Sequence, residues 1–160
     1  EAHLERCLAA VHEATTPEAG RTDLAALLDD VVRTVRRRTV LLVVCDESDL
    51  DDPDDAVDRR LRRLRVQHEG LLVTVGDLHP GSVPADRLVR DVNTGQPVPA
   101  WQRRDPTLVE QHSAAVEEAR ERRRQRLDSL GVVHAHVHDH ASAVPAVLRL
   151  LERQRRAGRR

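Results

Sequence analysis

The feature that most constrains the fold is a run of aliphatic residues, TVLLVVCD, at positions 39–46. A strand with one face in water alternates apolar and polar side chains, whereas this run directs apolar side chains to both faces. We therefore predict a strand that is buried on both sides, as in a parallel sheet. A second such run, GLLVTVGD, occupies positions 70–77, and a third strand is predicted to begin at Val132.

Segments with helical periodicity separate the predicted strands. Thr22 is predicted to cap the helix before the first strand, and Ser142 to open the last helix. Asp105 and Pro106 are typical of a helix start, so a long helix is predicted from there to Gly131. The side chains predicted to face inward are Leu4, Leu8 and Val11 in the first helix; Leu24, Leu27, Leu28, Val31, Val32 and Val35 in the second; Val57, Leu61 and Leu64 in the third; Leu108, His112, Ala115, Ala119, Leu127 and Leu130 in the long helix; and Val144, Val147, Leu148 and Leu151 in the last.

This order of elements predicts an α/β fold with three layers, in which a mostly parallel sheet has helices on both faces. Residues 87–99, RLVRDVNTGQPVP, are predicted to add a short β-hairpin, because Asn93, Thr94 and Gly95 suit a tight turn. A length of 160 residues is typical of one domain, which we assign to residues 1–153, followed by a basic tail at 154–160.

Composition excludes several classes of function. The 26 basic residues are all Arg and are offset by 27 acidic ones, so a net charge of −1 gives no general attraction to nucleic acid. Trp101 is the only aromatic residue, which leaves almost no surface for base stacking. No apolar segment approaches the ~20 residues that cross a bilayer, and we predict a cytoplasmic protein without membrane insertion. Cys7 and Cys45 alone form no zinc motif, and Cys45 is predicted to be a buried thiol.

The stretch GRTDLAALLDDVVRTVRRRTVLLVVCDESDLDD, residues 20–52, resembles the second half of a von Willebrand factor A-like domain. More narrowly, it resembles the domain in bacterial proteins of unknown function that are often encoded beside MoxR-type AAA+ ATPases. The shared features are a Gly-x-Thr-Asp-Leu loop, a helix that ends in a basic run, a strand followed by Ser-Asp, a hairpin like DVNTGQPV and a long Arg-rich helix. The resemblance extends from about Gly20 to Arg153.

The resemblance implies a metal-ion-dependent adhesion site, in which Mg²⁺ is held by an Asp-x-Ser-x-Ser loop, a Thr and an Asp. Thr22 matches the threonine and Asp46 the aspartate, but the first loop is missing from this chain. Mg²⁺ prefers a nearly complete octahedron of oxygen ligands, so the resemblance implies an incomplete site that does not hold Mg²⁺ tightly on its own. The alternative is that Thr22 is only a helix cap and Asp46 only a turn residue.

The resemblance also implies an open sheet edge. In the complete fold, the strand at 39–46 lies beside the strand that carries the missing loop, and without that neighbour its backbone groups are unpaired. We expect a protein to cover this edge: an upstream segment of the same polypeptide, a second copy of the chain, or another protein such as a AAA+ ATPase.

The stretch HAHVHDH, residues 134–140, raises the question of a zinc site. His134, His136 and His138 share one face of a strand and could converge on a metal ion. The resemblance, however, implies that this strand lies at the far edge of the sheet, remote from the metal loops, with its histidines on a half-covered face. No Cys lies nearby in the sequence, so Zn²⁺ is not expected to be a physiological ligand.

Three functions remain open from the sequence. The first is a non-catalytic interaction module that serves protein assembly, and the second is an assembly subunit that uses its strand edge and needs no metal. The third is a small metal-dependent hydrolase built from the His134–His140 cluster and the strand-end aspartates. In that function, Asp77 and His79 would be an acid–base pair, although a turn is the favoured interpretation of GDLHPG. The acidic run at 46–58 is predicted to be a solvated loop.

Overall fold

The computed structural model describes residues 2–14, 22–51, 55–76, 82–84, 86–91 and 95–157. It is an α/β structure in which helices flank a three-stranded parallel sheet. The helices are α1 (Ala2–Ala14), α2 (Leu24–Thr34), α3 (Ala56–Gln67), α4 (Ala100–Arg104), α5 (Pro106–Ser129) and α6 (His140–Ala157); the strands are β1 (Val40–Asp46), β2 (Glu69–Val75) and β3 (Val133–Val137); and a 3-10 helix spans Glu47–Leu50.

The strands lie in the order β1-β2-β3, so the three predicted strands are confirmed and form one parallel sheet. Leu42 lies beside Leu71, which lies beside Val133, and these three side chains share one face of the sheet. Val43 and Leu72 belong to the opposite face.

A larger core covers the face of the sheet that contains Val43 and Leu72. Helices α2, α3 and α5 contribute buried leucines and valines to it, while Leu41 and Val43 are partly buried against them. The buried residues of this core are Leu24, Leu28, Val32, Cys45, Leu50, Val57, Leu61, Leu64, Leu72, Leu127, Leu130 and Val132. The prediction that Val57, Leu61 and Leu64 face inward is therefore confirmed.

Helix α6 covers only part of the other face. Its Ala146 and Leu150 are buried against Leu71 and Val73 of β2 and Ala135 of β3. Of the predicted inner residues of this helix, Val147 packs against this core, but the prediction is wrong for Val144, Leu148 and Leu151, which are 65%, 56% and 46% exposed. The side of α6 that faces the sheet thus contains Ala143, Ala146, Val147 and Leu150.

Strand β1 is not buried on both faces, which corrects the sequence prediction. Leu41 and Val43 are partly buried on the side of α2 and α3, but Val40, Leu42 and Val44 are 54%, 49% and 58% exposed on the other side. Helix α6 packs mainly on β3 and also contacts β2. Among the described residues, β1 therefore has one packed face and one apolar face that is largely exposed.

Helix α5 begins as predicted, because Asp105 accepts hydrogen bonds from the Thr107 and Leu108 backbone N–H groups at 2.9 and 3.3 Å. Only its last turns reach the core through Leu127. The prediction is wrong for Leu108, His112 and Ala115 in its first half, which are exposed.

Helix α1 is confirmed between Ala2 and Ala14, but its predicted inner face is wrong, because Leu4, Leu8 and Val11 are exposed. The predicted hairpin is present as a single antiparallel bridge between Arg90 and Pro97, closed by the Gly95 N–H to Asp91 O hydrogen bond of 2.8 Å. Asn93 and Thr94, like Asp77 and His79, lie outside the described residues.

Gly131 ends α5 in a left-handed conformation, with φ of 64°. The Val132 N–H donates to the Leu127 carbonyl at 3.0 Å, which satisfies a carbonyl at the helix end. A Cβ at Gly131 would lie 2.6 Å from Nη1 of Arg65, which itself donates to the Leu130 carbonyl.

We predict that Gly131→Ala lowers the free energy of unfolding by about 2 kcal/mol, since φ there is unfavourable for Ala and the Arg65 guanidinium must move away from the Leu130 carbonyl that it binds. Denaturant unfolding measures this change. Gly95→Ala is the matched control, because Gly95 has φ of 69° but open space around its Cα, so it isolates the backbone effect. Equal losses in the two variants would contradict a role for the Arg65 contact.

Candidate functional site at the carboxyl ends of the strands

Thr22 does not cap α2, which corrects the prediction. Asp23 is the cap, and its Oδ1 accepts the Ala26 N–H at 2.9 Å. Thr22 is an exposed residue one position before it.

Asp46 ends β1 and caps the 3-10 helix that follows. Its carboxylate accepts the Ser48 N–H at 2.7 Å, while the Asp49 carboxylate accepts the Asp46 N–H at 3.1 Å. Among the described residues, no three His, Cys, Asp or Glu side chains are grouped so that they could hold a metal ion. The Asp46 carboxylate and the Thr22 hydroxyl do not by themselves fit the ligand set that Mg²⁺ requires.

The residue after Asp46, Glu47, is the centre of a partly buried polar cluster. Its side chain is only 11% exposed. Glu47 Oε1 accepts Nε–H of Arg120 at 3.1 Å, and the same oxygen lies 3.3 Å from Nδ1 of His136 and 3.9 Å from Nη1 of Arg123. A carboxylate in this position is stabilised because its charge is opposed by two guanidinium groups.

His136 connects β3 to this cluster. Its Nδ1 also lies 3.0 Å from Oγ1 of Thr74 on β2, and its Nε2 is buried without a hydrogen-bond partner in the described part of the chain. The absence of a side chain at Gly76 makes room for the ring, because a Cβ there would lie 2.9 Å from Cε1 of His136. Burial lowers the pKa of His136 from its ordinary value of 6.5; Glu47 opposes this shift and Arg120 adds to it.

The histidines of β3 are therefore not remote from the end of β1, contrary to what the resemblance implies. The prediction that β3 is an edge strand, with alternate residues on opposite faces, is confirmed. Its three histidines line one groove, but they form no metal-binding group within the described residues. The ring of His138 meets that of His136 edge to face with centroids 4.3 Å apart, while Nδ1 of His134 lies 3.1 Å from the Val132 carbonyl.

Two open cavities lie on either side of the Glu47–Arg120 pair. One, of about 330 Å³, separates α5 from β3 and is lined by Glu47, Thr74, Arg120, His134, His136 and Arg153. The other, of about 340 Å³, separates α5 from the 3-10 helix and is lined by Ser48, His112, Val116 and Arg123. Both are open grooves with charged walls.

Ion pairs attach α5 to the acidic segment after β1, so residues 46–51 and 55–58 are not the solvated loop that was predicted. Arg123 binds Asp51 through two hydrogen bonds of 2.9 and 2.5 Å, and the pairing raises the pKa of Arg123. Arg126 donates to Asp58 at 2.7 Å, which raises the pKa of Arg126, and to the Leu50 carbonyl at 2.9 Å.

The prediction that Cys45 is a buried thiol is confirmed. Burial raises its pKa to about 12, and the carboxylates of Asp49 and Asp46 add to the shift. A thiol that stays protonated at neutral pH is a poor nucleophile and a poor metal ligand. Cys45 is therefore a core residue.

Sequence reasoning missed Glu47, Arg120 and Arg123, although one signal was present. Arg120, Arg123 and Arg126 recur at intervals of three in α5, so they line one side of the helix, as acidic partners would require. Glu47 belongs to no such repeating pattern in the sequence, so nothing there identifies it as their partner.

Comparison of the chain with protein-family models, with curated proteins and with solved structures gives no match. Within the residues that the structure describes, no helix is both long enough and apolar enough to span a membrane.

We predict that Glu47→Ala lowers the free energy of unfolding by about 3 kcal/mol, because it leaves Arg120 without its least exposed partner. Glu117→Ala is the matched control, because Glu117 also binds Arg120, at 2.9 Å, but has a side chain that is 72% exposed. We expect this variant to lower the free energy of unfolding by only about 0.5 kcal/mol. Chemical denaturation of both variants tests the difference. A similar small loss in each would show that the cluster does not stabilise the fold.

We further predict that His136 makes the fold less stable in acid. Above pH 6.5 the imidazole is neutral in both the folded and the unfolded chain. As the pH falls below 6.5, the unfolded chain binds the proton more readily than the folded chain, because the pKa of His136 is lower in the folded chain. The free energy of unfolding therefore decreases until the pH has passed the pKa of the folded state. The groups that face the ring are Glu47, Glu117, Arg120 and His138. The difference in unfolding free energy between wild type and His136→Gln, measured from pH 8 to pH 5, should shrink with falling pH. A constant difference would refute the assignment.

Proposed function

We propose that this chain is a non-catalytic interaction module that serves protein assembly, and that the outer edge of β1 is the surface that binds the partner. One observation supports the proposal above all others. In the described structure, β1 pairs with β2 on one side only, and no described strand or segment pairs with its other side.

The pairing with β2 determines which backbone groups point outward. The Thr39 carbonyl accepts the Glu69 N–H at 2.9 Å, so Thr39 and every second residue after it face β2. The N–H and C=O groups of Val40, Leu42 and Val44 consequently point away from the sheet. The next outward N–H group, that of Asp46, donates a hydrogen bond to the Asp49 carboxylate.

The two borders of the sheet differ in how they are protected. At the β3 border, the Arg153 guanidinium donates a hydrogen bond to the outward carbonyl of His134. At the β1 border, the strand contains no proline, bulge or charged side chain between Val40 and Cys45, although such features normally prevent an edge from pairing with another chain. An unprotected apolar edge favours β-augmentation, in which a partner adds a strand through main-chain hydrogen bonds.

The resemblance to a partial von Willebrand factor A-like domain suggests the class of partner. Proteins of the family that this chain resembles are often encoded beside MoxR-type AAA+ ATPases, so we propose such an ATPase as the first partner to test. We propose the form of this function that needs no metal ion, since residues 1–160 contain no Asp-x-Ser-x-Ser loop to complete the site that the resemblance implies at Thr22 and Asp46.

Sedimentation velocity of the purified protein, alone and with a purified MoxR-type ATPase, tests the proposal. We expect self-association or complex formation, and Leu42→Lys should weaken it by about tenfold or more because a charge replaces an apolar contact at the edge. Val66→Lys is the control, since Val66 is 81% exposed on α3, on the other face of the sheet. A protein that remains monomeric and binds no ATPase, or that binds equally well with Leu42→Lys, would contradict the proposal.

A further inference from the structure

The outward backbone groups of β1 are arranged so that the strand can pair with a second copy of itself. Val40, Leu42 and Val44 direct their N–H and C=O groups away from β2, and no described strand lies beside them. A two-fold axis at Leu42, perpendicular to the sheet, would set each of these residues opposite an outward residue of the other copy. The edge is therefore complementary to itself in an antiparallel arrangement.

One antiparallel register uses all three outward residues. When Leu42 lies opposite Leu42 of the other copy, Val40 lies opposite Val44 and Val44 opposite Val40, which gives roughly six main-chain hydrogen bonds. A shift of two residues would set Val44 opposite Arg38, or Val40 opposite Asp46, so that an apolar side chain would face a charged one. The register centred on Leu42 is the one that matches like with like.

The same register brings the exposed apolar side chains of β1 together. Residues that lie directly opposite each other in an antiparallel pair have their side chains on the same face of the sheet. Val40, Leu42 and Val44 are largely exposed in the single chain, on the face that α6 covers only over β2 and β3. In the pair, the side chains of both copies form one continuous row, and each covers part of its neighbour.

The charges on either side of β1 are complementary in this pairing. The exposed arginine run 36–38 comes directly before the strand, and Asp46 ends it. The register sets Arg38 of each copy opposite Asp46 of the other. Within the described residues, Arg38 is otherwise joined only to Glu69, at 3.9 Å and with 71% of its side chain exposed, and the Asp46 carboxylate uses one oxygen, Oδ1, for the Ser48 N–H. Both groups are thus available for a contact between copies.

A parallel pairing of the two β1 edges would oppose this charge pattern. It would set the arginine run of one copy beside the same run of the other, and Asp46 beside Asp46, so like charges would repel at both ends of the strand. The antiparallel pair has attraction at both ends instead. It is also closed, because each copy contributes the same edge and no further copy can add to it there.

We propose that two copies of this chain pair through β1, antiparallel and centred on Leu42, so that the two three-stranded sheets become one continuous sheet. This inference rests on the proposed function, because it names a second copy as the partner that occupies the same edge. The contact is confined to one short strand from each copy, so the pair dissociates on dilution and the edge is then open to another partner.

Disulfide formation between copies tests the register. In a Cys7→Ser background, which removes the exposed native thiol, Leu42→Cys sets two thiols beside the two-fold axis with Cα atoms about 5.5 Å apart, within reach of a disulfide. Val40→Cys is the matched control, because the two copies of residue 40 would lie roughly 14 Å apart along the strands. A mixture of Val40→Cys and Val44→Cys should cross-link again, since these residues lie opposite each other.

Under mild oxidation, we expect Leu42→Cys and the mixture to form disulfide-linked dimers about tenfold faster than Val40→Cys alone. Non-reducing electrophoresis and mass spectrometry measure the rate and identify the linked residues. The substituted side chains are exposed, so the fold is retained, and the buried Cys45 does not compete.

The charge reversal Arg38→Glu tests the contact at the ends of the strand. In sedimentation velocity over a dilution series, we expect this variant to dimerise about tenfold more weakly than the wild type, and less so at high salt. Arg63→Glu is the control, because it makes the same change of charge at an exposed position on α3. An equal loss in both variants would contradict the pairing of Arg38 with Asp46.

Each result supports or overturns the proposal. Cross-linking through Leu42→Cys but not through Val40→Cys supports it, whereas equal rates would indicate random collision or another register and would overturn it. A chain that stays monomeric at every concentration and forms no disulfide would also overturn it. If that monomer binds a MoxR-type ATPase and loses the binding with Leu42→Lys, the proposed function stands and only the second copy fails as the partner. If it binds nothing at this edge, both fail.

Discussion

The outer edge of β1 is the constraint on which the proposed function depends. Within the described residues, the outward peptide groups of Val40, Leu42 and Val44 have no strand beside them, although peptide groups in a strand need partners. The side chains of the same three residues are 54%, 49% and 58% exposed. A partner strand at this edge would complete the border of the sheet.

The opposite face of the molecule is held together by a different kind of contact. Helix α5 has few apolar side chains to bury, and it is joined to the rest of the fold by Arg120, Arg123 and Arg126, which pair with Glu47, Asp51 and Asp58. Such pairs are directional, so they fix the rotation of the helix as well as its position. Grooves remain beside α5, because the arginine side chains span the gap between this helix and its neighbours without filling it.

The sequence was informative where a single local cause determines the structure. Strand β1 follows from its aliphatic run, and the start of α5 from Asp105 and Pro106, because each depends on neighbouring residues alone. The orientation of α6 could not be predicted, since periodicity identifies an apolar stripe but does not state what the stripe packs against. The stripe at Val144, Leu148 and Leu151 is exposed, whereas Ala146 and Leu150 on another side of the helix face the sheet. The Glu47 cluster depends on three elements distant in sequence, which no local pattern encodes.

The most direct test of the open edge is residue-resolved amide hydrogen exchange of the protein alone and in its assembled state. The account predicts that the Leu42 and Val44 amides exchange freely in the isolated protein, while the Leu41 and Val43 amides, which point to β2, are protected. In the assembly, all four amides should be protected. Strong protection of Leu42 and Val44 in a monodisperse monomer, or no change in their exchange on assembly, would contradict the claim that this border of the sheet is the binding surface.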